Sequence, residues 1–360
     1  MSIHFQKLVA KEVRRETADC VSVLFEVPEE IKKEFLFRQG QSLTMRTFLN
    51  GQEVRRTYSI CSSPIDQEWR VAIKRQEGGV FSNFANDELK AGDVLDVMPP
   101  VGRFYTDLAP SNKKNYVAFA AGSGITPVIS IIKTTLRTEA QSQFTLVYGN
   151  KTKNSIIFKE ELEGLKDKFI DRLRIIHVLS RERTDAPINS GRIDWAKLSE
   201  LSKLIHYKKM DEFFICGPEE MIFCVSDFLA SNGVNKKNIH FELFTTPGEE
   251  KTSIVKIQKS KKREGGPKSK ITVKLDGMSF DFELGMNDEP ILDAALKQGA
   301  DLPFSCKGGV CCTCKARLIQ GEVDMEVHWG LEEEEIERGY ILTCQSHPKT
   351  ETVMVDFDIK

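Results

Sequence analysis

Four of the nine cysteines in this 360-residue chain fall into one pattern. Cys306, Cys311 and Cys314 are spaced C-x4-C-x2-C, and Cys344 stands alone far downstream. Four thiolates at that spacing are the ligand set of a [2Fe–2S] centre, whose chemistry is the movement of single electrons. A short loop can wrap three thiolates around sulfide-bridged irons only if its backbone comes close to the sulfides. Gly308 and Gly309 permit this, because a residue without Cβ can take a positive φ and aim its N–H at sulfur. Cys312, flanked by ligands, is a bystander in the pattern. Four thiolates also suit tetrahedral zinc, but zinc sites pair two short knuckles, whereas here one three-cysteine loop faces a lone cysteine. A disulfide framework fits less well still, and the cysteine usage points to a reducing compartment and a cytoplasmic protein.

Two further constellations concern phosphates. Lys74 and Arg75 end an apolar run and are followed by Gly78, Gly79, Val80, Phe81 and Ser82, where a helix is expected to start. Glycines let a backbone close in on a phosphate, helix N–H groups point outward, and the basic side chains add charge. Taken alone, a Gly-Gly turn capped by Ser82 is only a turn. Gly122, Ser123, Gly124, Ile125, Thr126 and Pro127 follow another apolar run, a strand-to-helix turn suited to a pyrophosphate, with Pro127 expected at the first helical position. Cys216, Gly217 and Pro218 end a later apolar run at what is expected to be the same sheet edge.

The elements that must position these residues change character along the chain. Up to about residue 108 the pattern is strand and turn, over Phe5 to Val13, Cys20 to Val27, Ser42 to Phe48, Val54 to Ile60, Arg70 to Lys74 and Val94 to Met98. The alternation of Val21, Val23, Phe25 and Val27 and the Asn50-Gly51 turn predict an antiparallel barrel. From about Lys113, apolar strands alternate with helical stretches. Strands are expected over Tyr116 to Ala120, Phe144 to Tyr148, Leu173 to Leu179, Phe213 to Ile215 and Ile239 to Phe244. Helices are expected over Pro127 to Arg137, Ile156 to Lys166 and Glu219 to Ala230, which makes a doubly wound parallel α/β domain. Residues 247–268, rich in Lys, Gly, Ser and Pro without periodicity, read as a linker. Beyond it, a hairpin around Asp276-Gly277, a helix from Pro290 to Gly299, the cysteine loop and a closing strand from Val353 to Phe357 complete the chain. The expected domains are residues 1–110, 111–246 and 269–360.

Composition is ordinary, 40% hydrophobic and 29% charged, and no stretch is long and apolar enough to span a bilayer. The start of the sequence lacks the apolar core of a signal peptide. Charge is uneven: residues 271–360 carry 18 acidic and 8 basic side chains, and residues 1–270 carry 35 and 43. This asymmetry either solubilises an exposed face, including a helix over Glu332 to Glu335, or steers docking. The lysine-rich linker has no aromatic platform or recognition motif, so nucleic acid is not an expected partner.

Together, Arg56-x-Tyr58-Ser59, Gly78-Gly79-x-x-Ser82, Gly122-x-Gly124-x-x-Pro127 and Cys216-Gly217-Pro218 resemble the ferredoxin–NADP reductase superfamily. The tail resembles plant-type ferredoxins. All three domains are covered, in the order flavin, nicotinamide, iron–sulfur. The resemblance implies an FAD-binding β-barrel, an NAD(P)-binding α/β domain and a β-grasp ferredoxin domain. It implies that Arg56 pairs with a flavin phosphate, Tyr58 stacks on the isoalloxazine and Ser59 bonds near its reactive nitrogen. Lys74, Gly79, Val80 and Ser82 would hold FAD. Gly122, Gly124, Thr126, Pro127, Cys216, Gly217 and Pro218 would lie along the nicotinamide dinucleotide, with Cys216 beside the hydride donor carbon. Glu242 and Phe244 would close the flavin face. The metal ligands would be Cys306, Cys311, Cys314 and Cys344.

Ser180-Arg181, after the strand ending at Leu179, is similar to the phosphate-binding pair of NADPH users, so NADPH is expected over NADH. A nicotinamide gives two electrons as one hydride and the cluster takes one at a time, so FAD must stand between them. The implied activity is an NAD(P)H-dependent reductase delivering electrons to an oxygenase. Ser305 to Cys314, Gly321 to Met325 and Gly339 to Gln345 are similar to the reductase subunits of the phenylacetyl-CoA epoxidase type. Reductases of carnitine, vanillate and ketosteroid oxygenases share the layout, and a desaturase is a further alternative partner. A different class, a zinc-stabilised interaction module on a degenerate reductase, would be distinguished by metal analysis and an absorption spectrum.

Overall fold

The computed structural model describes residues 4–244, 267–304 and 306–359. It divides into a larger unit, Gln6–Phe244, and a smaller one that takes in the residues beyond Thr245 together with the first few of the chain. Nearly all of the expected linker lies outside the described residues.

In the larger unit, the strands β1 (Gln6–Thr17), β2 (Cys20–Glu26), β3 (Ser42–Leu49), β4 (Gln52–Ser59), β5 (Trp69–Lys74) and β6 (Val94–Val97) form an antiparallel sheet in the order β4-β3-β6-β1-β2-β5. A bridge between Ile60 and Val71 joins its ends into a barrel. Asn50 and Gly51 both take positive φ, 51° and 74°, as a two-residue hairpin whose twist matches its strands requires. β1 runs past the expected end at Val13. Its charges are paired rather than strand-breaking, since Arg15 donates to Asn86 and Glu12 accepts from Arg70. Helix α1 (Val80–Asp87) packs Phe81 and Ala85 against the barrel core.

The parallel sheet follows, with β7 (Asn115–Ala121), α2 (Ile125–Thr138), β8 (Gln143–Asn150), α3 (Lys159–Lys168), β9 (Leu173–Leu179), α4 (Trp195–Leu201), β10 (Glu212–Gly217), α5 (Glu219–Ser231) and β11 (Ile239–Leu243). Strand order is β11-β10-β7-β8-β9, so the winding direction reverses between β7 and β10 and opens a crevice at their carboxyl ends. Two expectations need correction. Pro127 stands two residues inside α2, not at its first position; the first turn has N–H groups without intrahelical partners, so a missing N–H costs nothing there. The helix expected from Ile156 starts only at Lys159, because Phe158 turns left-handed at φ 60° and buries its ring. Helix α4 has no counterpart in the sequence reading. Barrel and parallel sheet are tied along α2: Ser130 donates to the Ser62 carbonyl at 2.6 Å, Ser63 and Thr134 share a hydrogen bond, and Arg137 pairs with Asp66.

The smaller unit contains β12 (Lys268–Leu275), β13 (Met278–Gly285), α6 (Ile291–Lys297), β14 (Lys315–Gln320), β15 (Val323–Met325), α7 (Glu333–Glu337), β16 (Tyr340–Leu342), β17 (Ser346–Pro348) and β18 (Thr352–Asp356). Its main sheet, β13-β12-β18-β14-β16, pairs β12 with β18 in parallel and the others antiparallel. Helix α6 buries Ile291, Leu292 and Ala295 in the core, which is the β-grasp arrangement. Asp276 and Gly277 form the expected hairpin turn, and the Asp358 carboxylate accepts from both of their N–H groups.

Candidate functional site

The crevice between β7 and β10 gathers residues from distant parts of the larger unit. Cys216 on β10 is in register with Ala120 on β7 and with Glu242 on β11. A Cβ on Gly124 would lie 2.0 Å from the Cys216 carbonyl oxygen, so this glycine is required by the packing of the turn on β10. Glycine spacing alone suggested room for a pyrophosphate, whereas the nearest demand comes from protein backbone. Gly122 does have the open, left-handed turn, at φ 55°, and its carbonyl accepts from the buried Tyr148 hydroxyl. Thr126 donates to the Ser123 carbonyl and closes the turn. On β5, the Lys74 Nζ reaches to within 3.9 Å of where a Gly122 side chain would begin. The Cys216 thiol is wholly buried, and burial, reinforced by Glu242, pushes its pKa up, so it stays neutral.

Ser59 ends β4 and donates to the Glu242 carboxylate at 2.9 Å. Burial pushes the Glu242 carboxyl up to about 7, and the Ser59 bond only partly opposes it. The pair places a hydroxyl and a titratable carboxyl at one mouth of the crevice. Tyr58 sits half-buried beside it, its ring 5.7 Å from Phe81 of α1 and tilted by 34°. Gly79 caps α1, where a Cβ would meet the Ser82 hydroxyl at 2.5 Å, while Val80 is exposed. The Ser82 hydroxyl accepts from the Gln76 N–H and so shapes the turn from within. Arg56 donates to the Arg55 carbonyl. Phe244 follows β11 and is exposed. Ser180 and Arg181 lie apart from this group, beyond the end of β9 at the sheet's edge. Both are exposed, and their N–H groups donate to the Asn150 and Lys151 carbonyls at 2.9 Å.

In the smaller unit the four candidate thiols gather as two pairs. The Cys306 and Cys311 sulfurs receive each other's N–H groups at 3.4–3.5 Å, and Gly308 N–H adds a third bond to the Cys306 sulfur at 3.3 Å. Contact with the Cys311 thiol, then these N–H groups, pull the Cys306 thiol down. Cys314 and Cys344 form the other pair, both buried, and Cys344 together with burial raises the Cys314 thiol. Among the described residues no three His, Cys, Asp or Glu side chains converge on a single point. Two thiols for each of two irons fits a binuclear centre, and N–H groups aimed at sulfur are the environment such a centre needs. Gly309 has φ 77°, and a Cβ there would meet the Val327 carbonyl at 2.7 Å. Cys312 also has positive φ, 56°, and its thiol donates to the Gly330 carbonyl at 2.6 Å. The Thr313 hydroxyl, at 3.2 Å from the Cys311 sulfur, was invisible as a site residue in the sequence; its place inside C-x2-C was the available signal.

Three domain families match in the order of these sites. Residues 7–105 match the oxidoreductase FAD-binding domain, residues 119–227 the oxidoreductase NAD-binding domain and residues 273–349 the 2Fe-2S iron-sulfur cluster binding domain. The chain is 44% identical to one of the subunits of the 1,2-phenylacetyl-CoA epoxidase of Escherichia coli (strain K12), over 99% of this chain and 98% of that protein. The chain belongs to the ferredoxin–NADP reductase superfamily, in its branch with a C-terminal [2Fe–2S] domain. A second relative of this iron–sulfur flavoprotein type is the ferredoxin reductase component of 3-ketosteroid-9-alpha-monooxygenase from Rhodococcus rhodochrous, 33% identical over 97% of this chain and 96% of that one. Among solved structures, phthalate dioxygenase reductase shares the fold at a TM-score of 0.58 and 23% identity, covering 98% of both chains. An intact type IV self-sufficient cytochrome P450 monooxygenase matches at a TM-score of 0.69 and 21% identity, over 98% of this chain and 41% of the other. This reductase is thus an oxidoreductase with modules for FAD, a nicotinamide nucleotide and [2Fe–2S], and no helix among its described residues is long and apolar enough to cross a membrane.

Proposed function

We propose that this chain takes electrons from NADPH through FAD and [2Fe–2S] and delivers them to an oxygenase of the phenylacetyl-CoA epoxidase type. The Ser59–Glu242 hydrogen bond beside Cys216 carries the reading, because it joins the barrel and the parallel sheet where a flavin edge and a nicotinamide would have to meet. When bound, FAD accepts the hydride pair and releases it singly to the cluster. The protein's part is to hold, orient and exclude water. Tyr58 offers an aromatic face for the flavin ring, and Arg56, Lys74, Gly79, Val80 and Ser82 hold its phosphates. Ser59 presents a hydroxyl near the reacting nitrogen, and Glu242, poised near neutrality, holds or yields a proton there. Phe244 covers the same face.

The dinucleotide would lie along Gly122, Gly124, Thr126 and Pro127, with Cys216, Gly217 and Pro218 at the nicotinamide end. The neutral Cys216 thiol suits contact with an uncharged ring better than a thiolate would. Ser180 and Arg181, separated from Cys216 by the breadth of the sheet, favour a 2′-phosphate and thus NADPH. Cys306, Cys311, Cys314 and Cys344 hold the two irons. We assign residues 1–110 to the flavin domain, 111–246 to the nucleotide domain, 247–268 to the linker and 269–360 to the ferredoxin domain. Four thiolates committed to iron must stay reduced, which supports a cytoplasmic setting.

Full-length identity of 44% to the epoxidase component, against 33% to the ketosteroid component, favours the first partner type over the second. An anaerobic optical titration with NADPH tests the chemistry, with bleaching of flavin and cluster bands expected. A colourless, iron-free protein after anaerobic preparation would end the proposal. Turnover with reconstituted oxygenases of each type tests the partner.

A further inference from the structure

Gln345, the residue after the fourth thiol, is almost fully buried, at 3% exposure. Its side-chain Nε2 donates to the Lys307 carbonyl at 2.7 Å and to the Cys344 carbonyl at 2.9 Å. One amide therefore links the turn between β16 and β17, which carries Cys344, to the loop that carries the other three thiols. Lys307 sits between Cys306 and Gly308 with φ 50°, a left-handed conformation that a long side chain rarely adopts. It is that turn which brings Gly308 N–H onto the Cys306 sulfur and lets Cys306 and Cys311 exchange N–H···S bonds. The hydrogen bond from Gln345 reaches the carbonyl of the strained residue itself.

Gln345 Oε1 is buried and has no hydrogen-bond partner among the described residues. Turning the amide over would set the oxygen against two carbonyl oxygens, so the donor orientation is fixed by its neighbours. Burying an unpaired acceptor is unfavourable, and Leu or Met would fill the same space without that cost. What this position supplies is therefore the N–H donor and not volume.

We propose that Gln345 is a positioning residue for the [2Fe–2S] centre, locking Lys307 in its left-handed turn so that the loop's N–H groups stay directed at the ligand sulfurs. The proposal rests on the iron–sulfur reading of the four thiols. Groups just outside a metal's ligands typically change metal retention by about 10- to 100-fold when removed. N–H bonds to the sulfurs also favour the more negative, reduced cluster, so loosening them lowers its reduction potential.

The test uses the full-length holoprotein and its variant Gln345→Met, which keeps length and removes the donor. Two quantities are followed anaerobically: the rate at which a chelator bleaches the cluster, and the midpoint potential of the cluster against redox dyes. Expected are roughly tenfold or faster iron release and a lowered potential. Gln345→Glu, which keeps an acceptor but lacks the N–H, serves the same purpose if Gln345→Met fails to fold. A folded variant of either kind with parental release rate and potential would overturn the proposal. Absence of iron from the parent protein would instead sink the iron–sulfur reading itself, so the two failures are distinct.

Discussion

Ser59, at the end of β4 in the barrel, donates a 2.9 Å hydrogen bond to Glu242 on β11 of the parallel sheet, bridging 183 residues of sequence. The bond does not bring the carboxyl back to its ordinary range: burial still holds Glu242 near 7, against 4.5 in the open chain. Between those values the folded chain binds more protons than the unfolded one, so this group's contribution to stability falls as pH rises from about 4.5 to about 7. Glu242→Gln removes the titration. Unfolding midpoints measured from pH 4.5 to 8 should show a shallower decline for the variant, with a gain of about 1–2 kcal/mol over the parent above pH 7, below the full linkage value because the carboxyl keeps partial solvent access. A parallel decline in both proteins would place the unusual titration elsewhere.

The packing of Gly124 on Cys216 gives a second prediction. Gly124 has an ordinary helical backbone, φ −60°, so only space forbids a side chain there. In Gly124→Ala the methyl would press on the Cys216 carbonyl carbon at 2.4 Å and its oxygen at 2.0 Å, both fixed in β10, and the turn must move. A destabilisation of about 1–3 kcal/mol is expected from such overpacking. The displaced turn should also raise KM for the nucleotide while FAD content stays at the parental level. Unchanged stability and KM would mean that β10 yields more readily than its central place in the sheet implies.

Much of this arrangement was legible in the sequence because its signals are local. The Asn50-Gly51 and Asp276-Gly277 turns and the apolar runs Tyr116 to Ala120 and Phe213 to Ile215 each reflect constraints within a few residues, and the structure realises them as hairpins and strands. Relationships across the fold were not legible. The resemblance assigned Ser59 and Glu242 to the flavin separately, but neither stretch announces the hydrogen bond between them, which exists only because the barrel closes against α2. The same holds for Gly124, whose packing on the carbonyl of Cys216 no local pattern announces. Pro127 and Phe158 mislead for the opposite reason. Their local preferences are satisfied, but at the third helical position and just before a helix, respectively.

The separation of thiols into the pairs Cys306–Cys311 and Cys314–Cys344 bears on a third outcome. Cys344→Ser removes half of one pair, in a part of the chain that forms a unit of its own. Reduction of a one-electron protein acceptor that depends on the cluster should be lost almost completely. NADPH oxidation with an artificial two-electron acceptor should continue at the parental rate, since Ser59, Cys216 and Glu242 all lie in the larger unit. Loss of both activities would contradict this division of labour between the two units.

On the proposed reading, nucleotide choice turns on Arg181, which follows β9 and is exposed, its N–H held by the Lys151 carbonyl. The neighbouring Glu182 is already engaged, accepting from the Lys153 N–H and pairing with its Nζ, so it is not placed to act as the acid that an NADH ribose would favour. A guanidinium on a 2′-phosphate forms a charge-assisted contact in partial solvent, worth about 1.5–3 kcal/mol, or roughly 10- to 100-fold in discrimination. Arg181→Ala should therefore lower kcat/KM for NADPH by that factor and leave the value for NADH nearly unchanged. The contrast should shrink as salt is raised, because an exposed charge pair is screened. Equal losses with both nucleotides would assign Arg181 a general role in holding the loop and leave the 2′-phosphate without its proposed partner.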